Sequence, residues 1–169
     1  MKITALLTGK KNSTFKNKNE IKLYNEYIFN YPAKQAKKIK KIDFFYTSSD
    51  SNIILNQTKK IGYESIKRPK NLATKNSKHI DVLKHALEIF RKKNQYPDIL
   101  VVLLANAPIV KSKWINDCIK ILLNDKYVTS VVPVQNIDDH HPERAKQIVN
   151  NYLSNFVNKK SDYYLRLIE

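Results

Sequence analysis

From Ile99 to Ala105 the chain reads Ile-Leu-Val-Val-Leu-Leu-Ala without a polar interruption. A strand with one wet face alternates apolar and polar residues, so an unbroken run of this length predicts a central parallel strand covered by helices on both faces. Such a strand needs neighbours, and the chain supplies them. Ile3 to Leu7 is a first apolar run and Ile42 to Thr47 a second. Tyr63 to Lys67, closed by Arg68-Pro69, is a short third, and Val128 to Val134 predicts one more after the run at 99–105. Helical patterns lie between them. Pro32 opens a lysine-rich helix, and Ser48-Ser49-Asp50 turns into a helix with Asp50 as its cap and Ile53, Ile54, Thr58 and Ile61 recurring at helical spacing. Gly62 ends it. Leu72 to Asn76 is a loop, after which Ser77 caps a long helix with the stripe Ile80, Leu83, Leu87 and Phe90, broken at Tyr96-Pro97. Ser112 caps another, with Ile115, Cys118, Ile119 and Leu122 inward. Strands alternating with helices predict an α/β fold, a doubly wound, mostly parallel, Rossmann-like sheet.

The first strand breaks at Thr8-Gly9 into a polar loop carrying Lys10, Lys11, Lys16 and Lys18. In open α/β sheets ligands bind at the carboxyl edge, where a basic loop can wrap a polyanion. Gly9 and Gly62 are the only glycines, which excludes a Walker loop and a dinucleotide fingerprint. By residues alone, a lysine-rich surface turn remains the alternative.

The formal charge is +16 over 169 residues. The lysines are spread through every segment, which fits a solvated surface with one anionic pocket. No arginine-rich helix, RNP-like aromatic pattern or zinc-finger spacing supports a nucleic-acid module. Cys118 is the single cysteine, so a disulfide framework is excluded and a reducing cytoplasm is expected. No apolar run reaches the roughly 18 residues of a membrane span, and no signal-peptide pattern opens the chain.

Beyond Val134 the pattern changes to Asp138-Asp139-His140-His141-Pro142-Glu143-Arg144-Ala145. Adjacent histidines on an extended chain point to opposite faces, so the pair alone does not make a bidentate metal site. The segment from Tyr152 to Glu169 is aromatic and basic.

With these blocks in place, the chain resembles the cytidylyltransferases that activate acidic sugars, the CMP-sialic-acid synthetase (acylneuraminate cytidylyltransferase) family with its legionaminic, pseudaminic and Kdo relatives. The resemblance runs from about Ile3 to Ile148. It is carried by Leu6-Leu7-Thr8-Gly9 through Lys18-Asn19, by Ser48-Ser49-Asp50, and by Arg68-Pro69-Lys70-Asn71-Leu72-Ala73 with the helix Ile80 to Leu87. Leu103 through Lys111 and Asp139-His140-His141-Pro142 complete it. The loop also admits a register through Lys16-Asn17; Lys18-Asn19 keeps the end of the first strand aligned. The chain departs from the family pattern where Gly9 replaces an arginine, Ala105 a glutamine and Asn106 a proline, while Lys111 replaces an arginine conservatively.

The resemblance implies a nucleotide-diphospho-sugar transferase fold over residues 1–149, with a divergent or truncated tail at 150–169. It implies a reaction in which a 2-keto-3-deoxy sugar acid of eight or nine carbons attacks the α-phosphorus of CTP, releasing pyrophosphate. Lys18 and Lys10 would be catalytic. Thr8, Gly9, Lys11, Asn19 and Arg68 would bind nucleotide, with Arg68 reading the cytosine edge. Asn106, Lys111, His140, His141 and Arg144 would meet the sugar. Mg2+ is the implied cofactor, with its aspartate ligands in a segment expected to lie beyond Glu169, and a homodimer is the implied assembly. Bland roles stay open beside these: a strand end for Arg68, a helix cap for Asp50, a structural loop for His140, His141 and Arg144, helix surface for His79 and His85, and packing beside Ile115 for Trp114. An inactive nucleotide- or partner-binding homologue and a basic nucleic-acid-binding protein are the competing functions.

Overall fold

The computed structural model describes residues 1–11, 17–134, 146–149 and 152–156. The chain divides into two compact units, Met1–Val132 and Pro133–Glu169, and the expected boundary at 149/150 falls inside the second. Within the second unit, β7 (Lys146–Val149) and β8 (Tyr152–Asn155) pair as an antiparallel hairpin.

The first unit is built on a parallel sheet of four strands, β1 (Ile3–Thr8), β4 (Phe44–Ser49), β5 (Glu64–Lys67) and β6 (Ile99–Leu104), in the order β5-β4-β1-β6. A two-residue ladder, β2 (Lys22–Leu23) with β3 (Glu26–Tyr27), follows the first loop. Four helices pack on the sheet: α1 (Asn30–Lys37), α2 (Asn52–Lys60), α3 (His79–Lys92) and α4 (Ser112–Asn124). Every residue of β1 is buried, because both of its edges are paired and both of its faces covered. On one face Ile3, Ala5, Leu7 and Leu103 meet Ala33 and Ala36 of α1, Ile54 of α2, and Ile115 and Ile119 of α4. On the other, Leu6, Tyr46 and Ile66 meet Ala86 and Phe90 of α3. This is the doubly wound architecture expected.

The chain winds outward from β1 to β4 and β5, then returns across the opposite face through α3 to β6 on the far side of β1. Winding therefore reverses between β1 and β6, and the carboxyl ends of those two strands flank the crevice where ligands of such sheets bind. The register brings Thr8, Ser48 and Leu104 level at that edge.

Several expectations are corrected. The run at 99–105 forms an edge strand among the described residues rather than a central one; Val102 is 38% and Leu104 44% exposed. The central strand is β1, whose polar Thr4 and Thr8 hide its burial from a hydropathy reading. Val128 to Val134 is not a strand: Val132 and Val134 are 73% and 88% exposed, and Pro133 has no N–H for a ladder. Strand propensity without a partner edge does not make a strand. The second strand begins at Phe44 and not at Ile42, since Ile42 is drawn into the core under α1.

Helix caps also shift. Ser51, not Asp50, caps α2 by accepting from Ile54 N at 3.3 Å, and Asp50 is released for the neighbouring loop. Ser77 donates to the Thr74 carbonyl and Ser112 lies inside α4, so the cap positions of α3 and α4 fall to Lys78 and Lys111, neither of which makes a side-chain cap. α2 buries Ile54, Leu55 and Thr58 while Ile53 is exposed. α3 is rotated from the expected stripe: Val82, Ala86 and Phe90 are buried and Ile80 is 52% exposed.

That rotation is testable by equilibrium urea unfolding. Phe90→Ala, which opens a cavity against Tyr46, is expected to cost about 3–5 kcal/mol. Ile80→Ala is expected to stay within about 0.5 kcal/mol; a comparable loss at Ile80 would restore the stripe read from sequence.

Candidate functional site

At the carboxyl edge of β1, β4 and β6 lies a cavity of about 220 Å3 lined by Thr8, Gly9, Lys10, Lys18, Asn19, Arg68, Ser77, His79, Val82 and Asn106. Its floor is the end of β1. Thr8 accepts the Ala105 amide at 2.9 Å through its carbonyl, and Gly9 donates its amide to the Ser48 carbonyl at 3.2 Å. Gly9 has to be small here. A Cβ on it would sit 2.6 Å from the Cβ of Ala105 and 3.3 Å from Cδ1 of Ile54. The two departures from the family pattern at Gly9 and Ala105 are therefore one contact, and loop and strand end pass at a distance that admits no side chain on the glycine.

The described parts of the lysine loop are pinned at both ends. Lys11 donates its amide to Asp50 Oδ1 at 2.8 Å, and Asn19, 7% exposed, donates from Nδ2 to the Lys10 carbonyl at 2.7 Å. Asn17, in the left-handed conformation at φ 56°, starts a short 3-10 turn over Lys18–Glu20, and Glu20 accepts the Ser51 hydroxyl at 2.6 Å. Asp50 and Glu20 thus hold backbone and cap. Lys10 and Lys18 line the cavity, Lys10 also reaching the Thr74 carbonyl at 3.2 Å.

Arg68 is buried to 6% exposure just after β5. Its Nη2 donates to the Ser48 carbonyl at 2.8 Å and its Nε to the Ser48 hydroxyl at 3.4 Å. Two of the five guanidinium N–H donors are thereby committed, and the other three have no hydrogen-bond partner among the described residues. Burial pushes the Arg68 pKa down, and the charge of Asp50 offsets part of that. A cation buried with carbonyl and hydroxyl partners, and no ion pair among the described residues, is a standing invitation to an anion or an acceptor-rich ligand.

His79 is exposed and begins α3, as a surface helix residue would, but it is also part of the cavity. Its Nε2 lies 3.0 Å from the Thr8 hydroxyl. Partial burial and the nearby Arg68 charge hold its pKa below the ordinary 6.5, so the ring is neutral at pH 7. α3 also points its uncapped amino end at the cavity, and the partial positive charge of that end adds to the basic field.

Of the residues singled out from sequence, Thr8, Gly9, Lys10, Lys18, Asn19, Arg68 and Asn106 come together. Lys11 contributes its backbone to the loop but does not line the cavity. Lys111 is exposed, its ammonium 5.3 Å from the Trp114 ring, and does not line it either. His140, His141 and Arg144 lie outside the described residues. His79, Ser77 and Val82 were missed. The signal for His79 was available: residues 79, 82, 86 and 90 are spaced as one helical face, and reading the stripe there places His79 at its amino end. Among the described residues no three His, Cys, Asp or Glu side chains converge. Among the described residues the cavity lining holds no carboxylate, so these residues do not fit a magnesium ion.

Fold and cavity together define a parallel α/β protein with a cationic ligand crevice at its topological switch point. The chain belongs to the cytidylyltransferase family, whose family model matches residues 11–166. Solved structures share the fold. A CMP:2-keto-3-deoxy-manno-octonic acid synthetase complexed with CTP is similar at 14% identity and TM-score 0.59, over 75% of this chain and 49% of that one. A cytidylyltransferase from Leptospira borgpetersenii serovar Hardjo-bovis (strain JB197) is similar at 21% identity and TM-score 0.57, over 73% and 50%. A 4-diphosphocytidyl-2C-methyl-D-erythritol synthase is similar at 8% identity and TM-score 0.55, over 71% and 54%. The chain spans about half the length of these structures, and no curated protein matches it.

Two outcomes follow from the geometry. Gly9→Ala is expected to cost about 1–3 kcal/mol in unfolding free energy, and Ala105→Gly in the same chain is expected to recover most of it; a double-mutant cycle with zero coupling would contradict the contact. Histidine NMR is expected to show His79 titrating below 6.5. Since its folded pKa is depressed, stability falls as pH drops from about 6.5 through the folded midpoint, and His79→Gln is expected to remove that slope.

Proposed function

We propose that this chain carries the CTP-binding portion of a cytidylyltransferase that joins CMP to an acidic sugar of the 2-keto-3-deoxy class. The observation that supports this most is the convergence of Lys10, Lys18 and Arg68 with the amino end of α3 on one crevice in a member of the cytidylyltransferase family. In the proposed reaction a sugar hydroxyl oxygen bonds to the α-phosphorus as the bond to the pyrophosphate oxygen breaks, and the hydroxyl proton is released. Negative charge builds on the phosphate oxygens and the leaving pyrophosphate. Lys10 and Lys18 act as preorganised cations for that charge. Asn19 holds the loop through the Lys10 carbonyl, and Asn106, at the end of β6, faces the incoming sugar. Cavities for small molecules usually run to roughly 300–1,000 Å3, so at about 220 Å3 this one seats part of a nucleotide and the remainder runs along the loop. No step is assigned to Mg2+, for which the described residues offer no donor set.

A second reading, a nucleotide-binding homologue without turnover, is favoured by the absence of a carboxylate among the described cavity residues and by Ala105 where the resemblance calls for glutamine. A single experiment separates the two. Calorimetric titration with CTP is paired with measurement of pyrophosphate release on adding magnesium and a panel of eight- and nine-carbon 2-keto-3-deoxy acids. Binding with release supports the enzyme, binding without release the second reading, and no binding removes both. Lys18→Ala is expected to weaken CTP binding about tenfold, a loss of roughly 1.4 kcal/mol, and the remaining affinity to fall with added salt.

A further inference from the structure

We propose that the first unit, at the end opposite the crevice, carries a docking surface for an anionic lipid bilayer, formed by six lysines at the adjoining carboxyl ends of α1 and α2. This surface is separate from the crevice and does not depend on what the crevice binds.

In a parallel sheet every strand starts at one edge, and the helix that leads into it ends there. The crevice lies at the other edge, so the six residues of β4, at about 3.3 Å each, put roughly 20 Å between the two. At the starting edge Lys37 closes α1, Lys38, Lys40 and Lys41 lead on towards β4, and Lys59 and Lys60 close α2. All six are exposed. The two groups are neighbours. The Lys37 ammonium lies 4.0 Å from the centroid of the Phe45 ring, and a Cβ on Gly62, just past α2, would sit 3.2 Å from that ammonium. Lysines from two separate segments are thus gathered on one surface.

The core fixes how these cations are presented. Ile39 and Ile42 are packed into it and joined by a turn in which the Ile42 amide donates to the Ile39 carbonyl at 3.2 Å, which leaves the flanking Lys38, Lys40 and Lys41 in solvent. A cation at a helix carboxyl end is stabilised by the macrodipole, which accounts for Lys37, Lys59 and Lys60. Lys40 and Lys41 lie past the helix and gain nothing from it. Among the described residues none of the six is ion-paired; the ion pairs there use Lys34, Lys93 and Lys113. Asp43, next along the chain, has its Oδ2 engaged by the Ile3 amide at 2.8 Å. An uncompensated surface of one sign draws an anionic partner. Its chemistry favours a bilayer over nucleic acid. Residues 33–43 and 55–63 hold no arginine and no exposed aromatic ring, the groups that fork onto phosphates and stack on bases. Lysine ammoniums are hydrated point charges suited to the diffuse negative potential of acidic headgroups, which clusters of about four to eight basic residues recognise. Docked this way, the unit turns its crevice away from the lipid and keeps it open to ligands from solution.

The test is co-sedimentation of the full chain with vesicles of phosphatidylcholine alone and of equimolar phosphatidylcholine and phosphatidylglycerol. Binding is expected only to the mixture, and is expected to fade as salt is raised. A triple variant, Lys40→Gln with Lys41→Gln and Lys60→Gln, is expected to weaken it about a hundredfold, at roughly fivefold per lysine. A control triple, Lys84→Gln with Lys113→Gln and Lys120→Gln, removes the same charge from α3 and α4 and is expected to weaken it less than about fivefold in all. All six substituted positions are exposed, so both variants are expected to fold, which far-UV circular dichroism checks. No binding to the mixture at low salt would overturn the proposal. Equal losses in the two variants would overturn it as well, since net charge and not this surface would then be responsible. Single-stranded RNA bound more tightly than the vesicles, and released by the first triple but not by the control, would make the surface a nucleic-acid site and overturn the bilayer assignment.

Discussion

The structure depends on the complete burial of β1. A strand can be dry along its whole length only if both edges are hydrogen-bonded and both faces covered, and β1 meets this through β4, β6 and helices on either side. The register that follows leaves no freedom at its end. Thr8 lies level with Ser48 and Leu104, and its carbonyl and the Gly9 amide are taken by Ala105 and Ser48. The loop therefore departs from a rigid ledge, and every cation in the crevice is placed relative to that ledge.

Two further constraints radiate from it. The first is steric: Gly9 passes Ala105 so closely that neither position can be considered alone. Read as letters, a lost arginine and a lost glutamine look like two separate defects in a nucleotide site. Read as packing, the two positions are one tight contact between the loop and the end of β6. The second is electrostatic. Among the described residues the Arg68 side chain is buried with only Ser48 to satisfy it, and it reaches the same crevice from the opposite side, where burial and then its charge lower the His79 pKa. Asp50 and Glu20, which composition alone would allow as metal ligands, are occupied in holding Lys11 and Ser51.

Much of the fold was legible in the chain because α/β alternation is a local signal. Ile3 to Leu7, the Gly62 stop and the short strand before Arg68-Pro69 all lie within a residue or so of where they were read. The errors share one cause. Hydropathy reports how apolar a segment is, while position in the sheet depends on which edges find partners. Thus Ile99 to Leu104 looked central and is an edge among the described residues, Thr4 and Thr8 lie in the strand that is central, and Val128 to Val134 stays unpaired. The α3 stripe erred by a rotation: Leu83 and Leu87 are only partly buried, while the smaller Val82 and Ala86 face the sheet.

By itself the sequence determined the alternating layers, the basic loop after the first strand, and the arginine and asparagine at later strand ends, because these rest on residue type and short-range order. Only the tertiary structure decided which of them share a crevice. It excluded Lys11 and Lys111, added His79, Ser77 and Val82, and joined Gly9 to Ala105, since those outcomes turn on strand register and helix rotation. Such quantities are set by contacts between residues about 40 to 100 positions apart, Thr8 with Ser48, His79 and Leu104 among them, and no local pattern encodes them.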